Sequence, residues 1–240
     1  MDQEFKVAVI TLAVIGAMLA GVLNTTITAA WNLCYLAQNP LWQSKLRAEV
    51  DQVILKYRHS PDEGVAEVLQ RLELKDWERE FPLFELILKE TMRFTMAGQI
   101  VRKNISNKGV PVGDTEFVIP QNSFAVYSVE DAHMNPSVYE NPLEWDPSRH
   151  DKNRAKGSQS PHSFLAWGSR NHVCPAMRFS KLNILVPTVM LVALYGFEMC
   201  NAKGQTCNEP LPSLSFDGIG AGRPTGKVYV KCNPRVKEDA

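Results

Sequence analysis

One cysteine, Cys174, ends a turn-forming run and stands just before an apolar stretch that predicts a helix. Pro175 suits the first position of that helix, where its missing N–H costs nothing. The positive end of the helix dipole, together with Arg170 and His172, would favour the thiolate of Cys174 over the thiol. A thiolate held in such a loop can act as a nucleophile or as a metal ligand. The competing interpretation is a small buried cysteine with no chemical role.

A pair of opposite charges lies earlier in the chain. Glu90 and Arg93 are three residues apart, so they are neighbours on one face of a predicted helix. An ordinary surface ion pair, which contributes little to stability, is the alternative for this spacing. The spacing alone therefore leaves the role of the pair open.

The elements that must position these residues begin with one long helix. No charged residue occurs from position 7 to position 44, and residues 7–23 approach the minimum length of a transmembrane span. The run Asn24-Thr25-Thr26 that follows is too polar for lipid but still allows a helix. We therefore predict a single helix over residues 5–37, about 50 Å long. A helix this apolar on all sides lies in a membrane or crosses the middle of a large protein, and the polar run favours the second.

Shorter helices and then strands follow. Pro40 ends the long helix, and amphipathic patterns predict helices over residues 41–57, 65–74 and 82–95. A period near two predicts hairpins within residues 99–128, where a turn at 120–122 joins strands at 116–119 and 123–128. Within residues 164–195 the cysteine precedes a helix that Pro187 should weaken, and residues 227–232 alternate as a strand. No βαβ alternation is found, so the fold class is mainly α, of the α+β type.

Composition narrows the classes of partner. The 26 basic and 26 acidic residues balance, which gives no indication of a nucleic-acid partner. Five scattered cysteines without a C-x-x-C pair argue against a disulfide scaffold or a zinc ribbon and favour a reducing compartment. A zinc or cysteine-nucleophile site built on His162, His172 and Cys174 is a poor alternative, because no second cysteine lies nearby.

Four separated segments together resemble the C-terminal half of a cytochrome P-450, a haem-thiolate monooxygenase, and look most like fungal members. The resemblance extends over nearly the whole chain and implies one truncated domain over residues 1–240, with a haem-binding half built on a long central helix. The four segments are the run Ala20-Gly-Val-Leu-Asn-Thr-Thr26 within a helix like the family's oxygen-activating helix, Glu90-Thr-Met-Arg93, Trp145-Asp-Pro-Ser-Arg149, and Trp167-Gly-Ser-Arg-Asn-His-Val-Cys174-Pro-Ala176.

The resemblance implies haem, iron protoporphyrin IX, as the cofactor. Cys174 would be the axial ligand of the iron, and its thiolate would favour O–O cleavage. His172 and Arg102 would bind the haem propionates, and Arg170 could reach one of them. His133 would be a third propionate partner or, equally, a histidine that caps a loop.

The resemblance assigns the remaining residues to structure and to proton delivery. Glu90, Arg93 and Arg149 would form a buried charge network that fixes the cysteine loop. Thr25 would deliver protons to bound dioxygen with help from Thr26 and water, since the amide of Asn24 cannot relay a proton. The alternative is that both threonine hydroxyls bond back to the helix.

The implied activity is insertion of one oxygen atom into a small apolar substrate, with electrons from a flavoprotein reductase. Intact members of the family sit on the cytosolic face of the endoplasmic reticulum membrane, and the anchor and early helices are expected to be missing here. A truncated, non-catalytic remnant that adsorbs to membranes is therefore the second hypothesis.

The signature departs from the family pattern at two positions. Arg170 and Ala176 stand where the family has glycine. If the first of these positions is left-handed, a non-glycine residue there costs about 1–2 kcal/mol. Ala176 should be the milder change, because it adds only one methyl group.

Overall fold

The computed structural model describes residues 3–152, 154, 162–215 and 220–235. The mainly α class is confirmed, since long helices carry the core and the strands form five two-stranded antiparallel sheets within these residues. The helices are α1 (Gln3–Gln38), α2 (Pro40–Tyr57), α3 (Val65–Arg71), α4 (Leu74–Arg79), α5 (Pro82–Thr95), α6 (Val129–His133) and α7 (Met177–Leu194). The strands are β1 (Met96–Ala97), β2 (Gln99–Lys103), β3 (Val110–Pro111), β4 (Val118–Ile119), β5 (Phe124–Ser128), β6 (Tyr195–Cys200), β7 (Leu214–Ser215), β8 (Gly220–Ala221), β9 (Arg223–Pro224) and β10 (Tyr229–Pro234).

The long helix α1 has two different halves. Residues 3–20 are exposed on every side, whereas buried side chains begin at Thr25 and continue to Ala37. Trp31 fixes the buried half, because its indole N–H donates to the carbonyl of Gly222 at 2.8 Å. The expectation that this helix crosses the protein interior therefore holds only for its second half.

The main core lies where the second half of α1 meets α2, α5 and α7. Leu36, Leu46, Phe84 and Val189 are all fully buried there. Proline occupies the first turn of both α2 and α5, where no backbone donor is lost. The helix predicted over residues 65–74 is interrupted, so α3 ends at Arg71 and α4 begins at Leu74.

The predicted hairpin between residues 116–119 and 123–128 is wrong. Strand β5 pairs with β2, and β4 pairs instead with β3. Asn104, at the end of β2, explains the difference, because its side-chain amide donates to the carbonyls of Lys108, Ile119 and Pro120 at 2.9–3.1 Å. The segment between β2 and β5 is thus closed at its base as a separate hairpin.

Helix α7 begins later than predicted. Its first residue is Met177, so Pro175 belongs to the preceding turn, and Cys174 lies three residues before the helix. Pro187 lies inside the helix without ending it. After α7 the chain enters β6, which pairs along its whole length with β10, the strand that contains the alternating residues 229–232.

Candidate functional site

Glu90 is the centre of a buried charge network that consists of Glu90, Arg93, Arg149 and His150. Its Oε1 accepts hydrogen bonds from Arg93 Nη2 at 2.9 Å, Arg149 Nε at 2.8 Å and the amide of Asp146 at 3.0 Å. Its Oε2 accepts from Arg93 Nε at 2.9 Å and bonds to His150 Nε2 at 2.8 Å. Burial raises the pKa of Glu90, but the bonds from Arg93 and His150 more than offset this and hold the pKa at about 2. The carboxylate is therefore ionised, and both of its oxygens are fully hydrogen bonded.

The two arginines of the network also hold the chain that follows α6. Arg93 donates to the carbonyl of His133 at 2.7 Å, and Arg149 donates to the carbonyls of Glu140 and Glu144 at 2.7 and 2.8 Å. Arginine suits this position because its five N–H donors are fixed in one plane and reach several acceptors together. The network thus links α5 to an irregular segment about 50 residues later in the chain.

Two histidines lie at this centre: His150, which was not singled out from the sequence, and His133, for which the sequence left a propionate partner and a loop-capping residue as equal alternatives. His150 directly follows Arg149 and completes the network, and the only signal for it was that adjacency. His133 is fully buried, and both ring nitrogens are engaged: Nδ1 lies 3.1 Å from the carbonyl of Arg93, and Nε2 accepts the amide of Leu165 at 2.9 Å. No ring nitrogen of His133 remains for a propionate, so the structure favours the loop-capping alternative.

The cysteine loop, residues 164–176, is a tight turn. Gly168 has φ +78°, and a Cβ there would lie 2.1 Å from the carbonyl oxygen of His172. The amide of Cys174 donates to Trp167 O at 2.7 Å and closes the turn. Arg170 has φ +49°, so the position where the family has glycine is indeed left-handed and carries the expected strain. Ala176 has φ −95°, which any residue adopts.

The three basic side chains predicted to bind the haem propionates are exposed. Arg170 and His172 are exposed, and Arg102 on β2 is exposed as well. Within the described residues none of these three side chains bonds to a carboxylate, and Arg102 donates only to the carbonyl of its neighbour Val101. The thiol of Cys174 is partly buried and is not part of a disulfide. A sulfur ligand is thus available in a loop that also contains the exposed side chains of Arg170 and His172.

The polar run of α1 makes contacts of its own. The hydroxyl of Thr25 lies within hydrogen-bond distance of the carbonyls of Gly21 and Val22, and the hydroxyl of Thr26 donates to the carbonyl of Val22 at 2.8 Å, as in the back-bonded alternative. The Asn24 side chain accepts the amide of Ala221 at 3.1 Å and so ties α1 to strand β8. In this structure Asn24 holds the β1–β8 sheet against the helix.

The model of the cytochrome P-450 family matches residues 1–227 of this chain. The chain belongs to the cytochrome P-450 family. It is 30% identical to the P-450 monooxygenase AacuE of Aspergillus aculeatus over 226 residues. The matched region covers 91% of this chain and 45% of AacuE. The monooxygenase nsrP of Aspergillus novofumigatus is 31% identical over 82% of this chain and 38% of its own length. The monooxygenase dmxR5 of a Cryptosporiopsis species is 30% identical over 92% of this chain and 41% of its own length.

These relatives confirm the fungal resemblance and set a limit. The chain spans less than half the length of the curated relatives named above. Family membership is therefore shown, and the activity, substrates and partners of a whole P-450 are proposals for this chain.

The donor set fits the P-450 cofactor. In the P-450 family the haem iron takes a cysteine thiolate, and the two propionates are anions that basic side chains can bind, so Cys174 with Arg102, Arg170 and His172 would suit this group. Among the described residues no group of three His, Cys, Asp or Glu side chains could hold a metal ion, so the zinc alternative built on His162 gains no support.

Proposed function

We propose that this chain is the haem-binding half of a haem-thiolate monooxygenase. The observation that carries the proposal is the cysteine loop, in which a partly buried thiol at Cys174 is held in a closed turn that also contains the exposed side chains of Arg170 and His172. Cys174 would hold the iron, and Arg102, Arg170 and His172 would bind the propionates. The bound haem would supply activation of dioxygen for insertion of one oxygen atom into a small apolar substrate.

The chain's own residues would support that chemistry in two ways. The charge network would fix the start of the cysteine loop through His133 and Leu165, and this would hold Cys174 in one position. Thr25 and Thr26 would hold protons at their hydroxyl oxygens, each of which can still accept a hydrogen bond while it donates to α1. Electrons would come from a flavoprotein reductase, which acts as the partner.

The test is a visible spectrum of the 240-residue chain. The chain is expressed with haem supplied, reduced and exposed to carbon monoxide, and the position of the Soret band is recorded. A thiolate-type band should form in the native chain and disappear in Cys174→Ala. Cys232→Ala is the matched control, because Cys232 is an exposed cysteine on β10 and should leave the band unchanged.

Failure has a clear form in this experiment. A native chain that takes up no haem, or a Cys174→Ala chain that keeps the thiolate band, would show that Cys174 is not the iron ligand. The second result would leave haem binding intact but assign the ligand elsewhere. The first would favour the non-catalytic alternative.

That alternative has its own supporting observation, an exposed and apolar first half of α1. An 18-residue window of α1 has a mean hydropathy of 2.3, and none of it is buried. Exposed apolar side chains surround the helix on all sides, as lipid would require. α7 is also long and apolar enough to span a membrane, but 39% of its window is buried in the protein, as expected for a core helix.

Flotation with phosphatidylcholine vesicles tests this alternative. The double variant Ile10→Asp and Val14→Asp places two charges on the exposed half of α1 and should abolish flotation. Leu55→Asp is the control, because Leu55 is equally exposed but lies on α2. Flotation that survives the double variant would exclude α1 as the binding element.

A further inference from the structure

His133 lies between the charge network and the cysteine loop and contacts both. Its own carbonyl accepts Arg93 Nη1 at 2.7 Å, and its Nδ1 lies 3.1 Å from the carbonyl of Arg93. On the far side of the ring, Nε2 lies 2.9 Å from the amide nitrogen of Leu165. The ring also stacks on Phe164, with centroids 5.3 Å apart and planes inclined by 18°. One buried side chain therefore joins residues that are 40 positions earlier and 32 positions later in the chain.

The partners determine which nitrogen of His133 carries the proton. The carbonyl of Arg93 can only accept a hydrogen bond, so Nδ1 must donate. The amide of Leu165 can only donate, so Nε2 must be unprotonated. The ring is therefore neutral and in the Nδ1–H form. Burial agrees with a neutral ring, because it lowers the pKa of His133 to about 4.

Backbone hydrogen bonds continue from Leu165 to the cysteine. The carbonyl of Leu165 accepts the amide of Gly168 at 2.8 Å, and the neighbouring carbonyl of Trp167 accepts the amide of Cys174 at 2.7 Å. The position of Leu165 thus determines the turn closed by the Gly168 amide, and that turn determines the one closed by the Cys174 amide. A fixed Leu165 amide is the point at which the loop is attached to the buried centre.

We infer that His133 is a positioning residue that transfers the fixed geometry of the Glu90–Arg93 pair to the cysteine loop. It acts through the Leu165 amide and touches neither the cysteine nor the reacting atoms. Its consequence for iron ligation rests on the proposed function, whereas its effect on the loop does not. His150 has a different task, since its Nε2 bonds to Glu90 and its ring only meets Phe164 edge to face.

Two isosteric variants separate the two bonds of His133. The amide oxygen of Gln can reach the position of Nε2, so His133→Gln keeps the acceptor for Leu165. The amide nitrogen of Asn reaches the position of Nδ1, so His133→Asn keeps the donor to Arg93 and loses the acceptor. Amide hydrogen exchange of the chain without haem should be about five- to tenfold faster at Leu165 and Cys174 in His133→Asn. It should stay close to native in His133→Gln and in the control His59→Gln, because His59 is an exposed histidine.

The results decide the inference separately from the proposed function. Equal exchange rates at Leu165 in both His133 variants and the native chain would overturn it. If His133→Asn does not fold, nitrogen-15 NMR of the native chain at pH 7 decides, since an Nε2–H or doubly protonated ring would also overturn it. If haem binds, the thiolate-type band should be weaker in His133→Asn than in His133→Gln. A native chain that binds no haem but shows the expected exchange pattern would reject the proposed function and leave the positioning role standing.

Discussion

The charge network and the cysteine loop are joined through His133, yet they are built in opposite ways. In the network, Glu90 and Arg93 have no exposed side-chain surface and every oxygen of Glu90 is hydrogen bonded. In the loop, Arg170 and His172 are exposed, and Arg170 adopts a left-handed conformation that costs energy. Rigidity thus belongs to the residues that do no chemistry, and the strain lies beside the residue proposed to hold iron.

Removal of the network's central carboxylate should have the largest effect. Glu90→Ala leaves two buried arginines without their counter-charge, so we expect a loss of about 3–5 kcal/mol in the free energy of unfolding. Urea denaturation measures it. Glu85→Ala is the control, because the Glu85–Lys181 pair is half exposed and should contribute less than about 1 kcal/mol. Similar losses for the two variants would contradict a special role for the buried centre.

Acid should weaken the same centre in two stages. Burial lowers the pKa of His133 from 6.5 to about 4. Below pH 6.5 the unfolded chain therefore binds a proton at this residue that the folded chain does not bind, and the folded state loses stability. This stage costs about 3 kcal/mol and ends near pH 4. The pKa of Glu90 is about 2 against 4.5, because the bonds from Arg93 and His150 outweigh the cost of burial, so a second loss follows between pH 4.5 and 2. His150 also has a pKa lowered by burial and adds to the first stage.

The fraction of folded protein, measured as a function of pH at a fixed urea concentration, tests this pH dependence. The charged groups around His133 are Glu90 and Arg93 and the nearby titratable group is His150, and all three remain in place in His133→Gln. That variant should lose most of the decline between pH 6.5 and 4 and keep the decline below pH 4.5. A native chain whose stability is flat from pH 6.5 to 4 would show that His133 is not a buried neutral ring.

The sequence predicted elements and left out many contacts between them. The long helix and the proline start of α5 follow from local rules and agree with the structure, and the left-handed strain at Arg170 was expected from the family signature. The pairing of β5 with β2 does not follow from local rules, because it depends on Asn104, a residue from outside the predicted turn. The hydrogen bonds of His133 likewise join three distant segments, so no local pattern could predict them.

Within the loop, Gly168 should be the position least tolerant of a side chain. Gly168→Ala combines φ +78° with a Cβ placed 2.1 Å from the carbonyl of His172, so we expect the turn to lose at least about 2 kcal/mol. Exchange of the Cys174 amide, which closes the turn, measures the loss locally. Gly113→Ala is the matched control, because Gly113 is also left-handed but a Cβ there meets nothing within 4 Å. If the two variants lose the same free energy of unfolding, conformational strain alone would explain the intolerance of a side chain at Gly168.

Arg170→Gly should produce the smallest effect and the one of opposite sign. Glycine adopts φ +49° without strain, so the variant should stabilise the loop by about 1 kcal/mol and slow exchange at the Cys174 amide. Asn122→Gly, at φ +62°, should gain less, since asparagine tolerates the left-handed region better than arginine. If Arg170 binds a propionate, Arg170→Gly should hold haem less tightly even though its loop is more stable. A loop that gains stability and also retains haem fully would show that Arg170 contributes only strain.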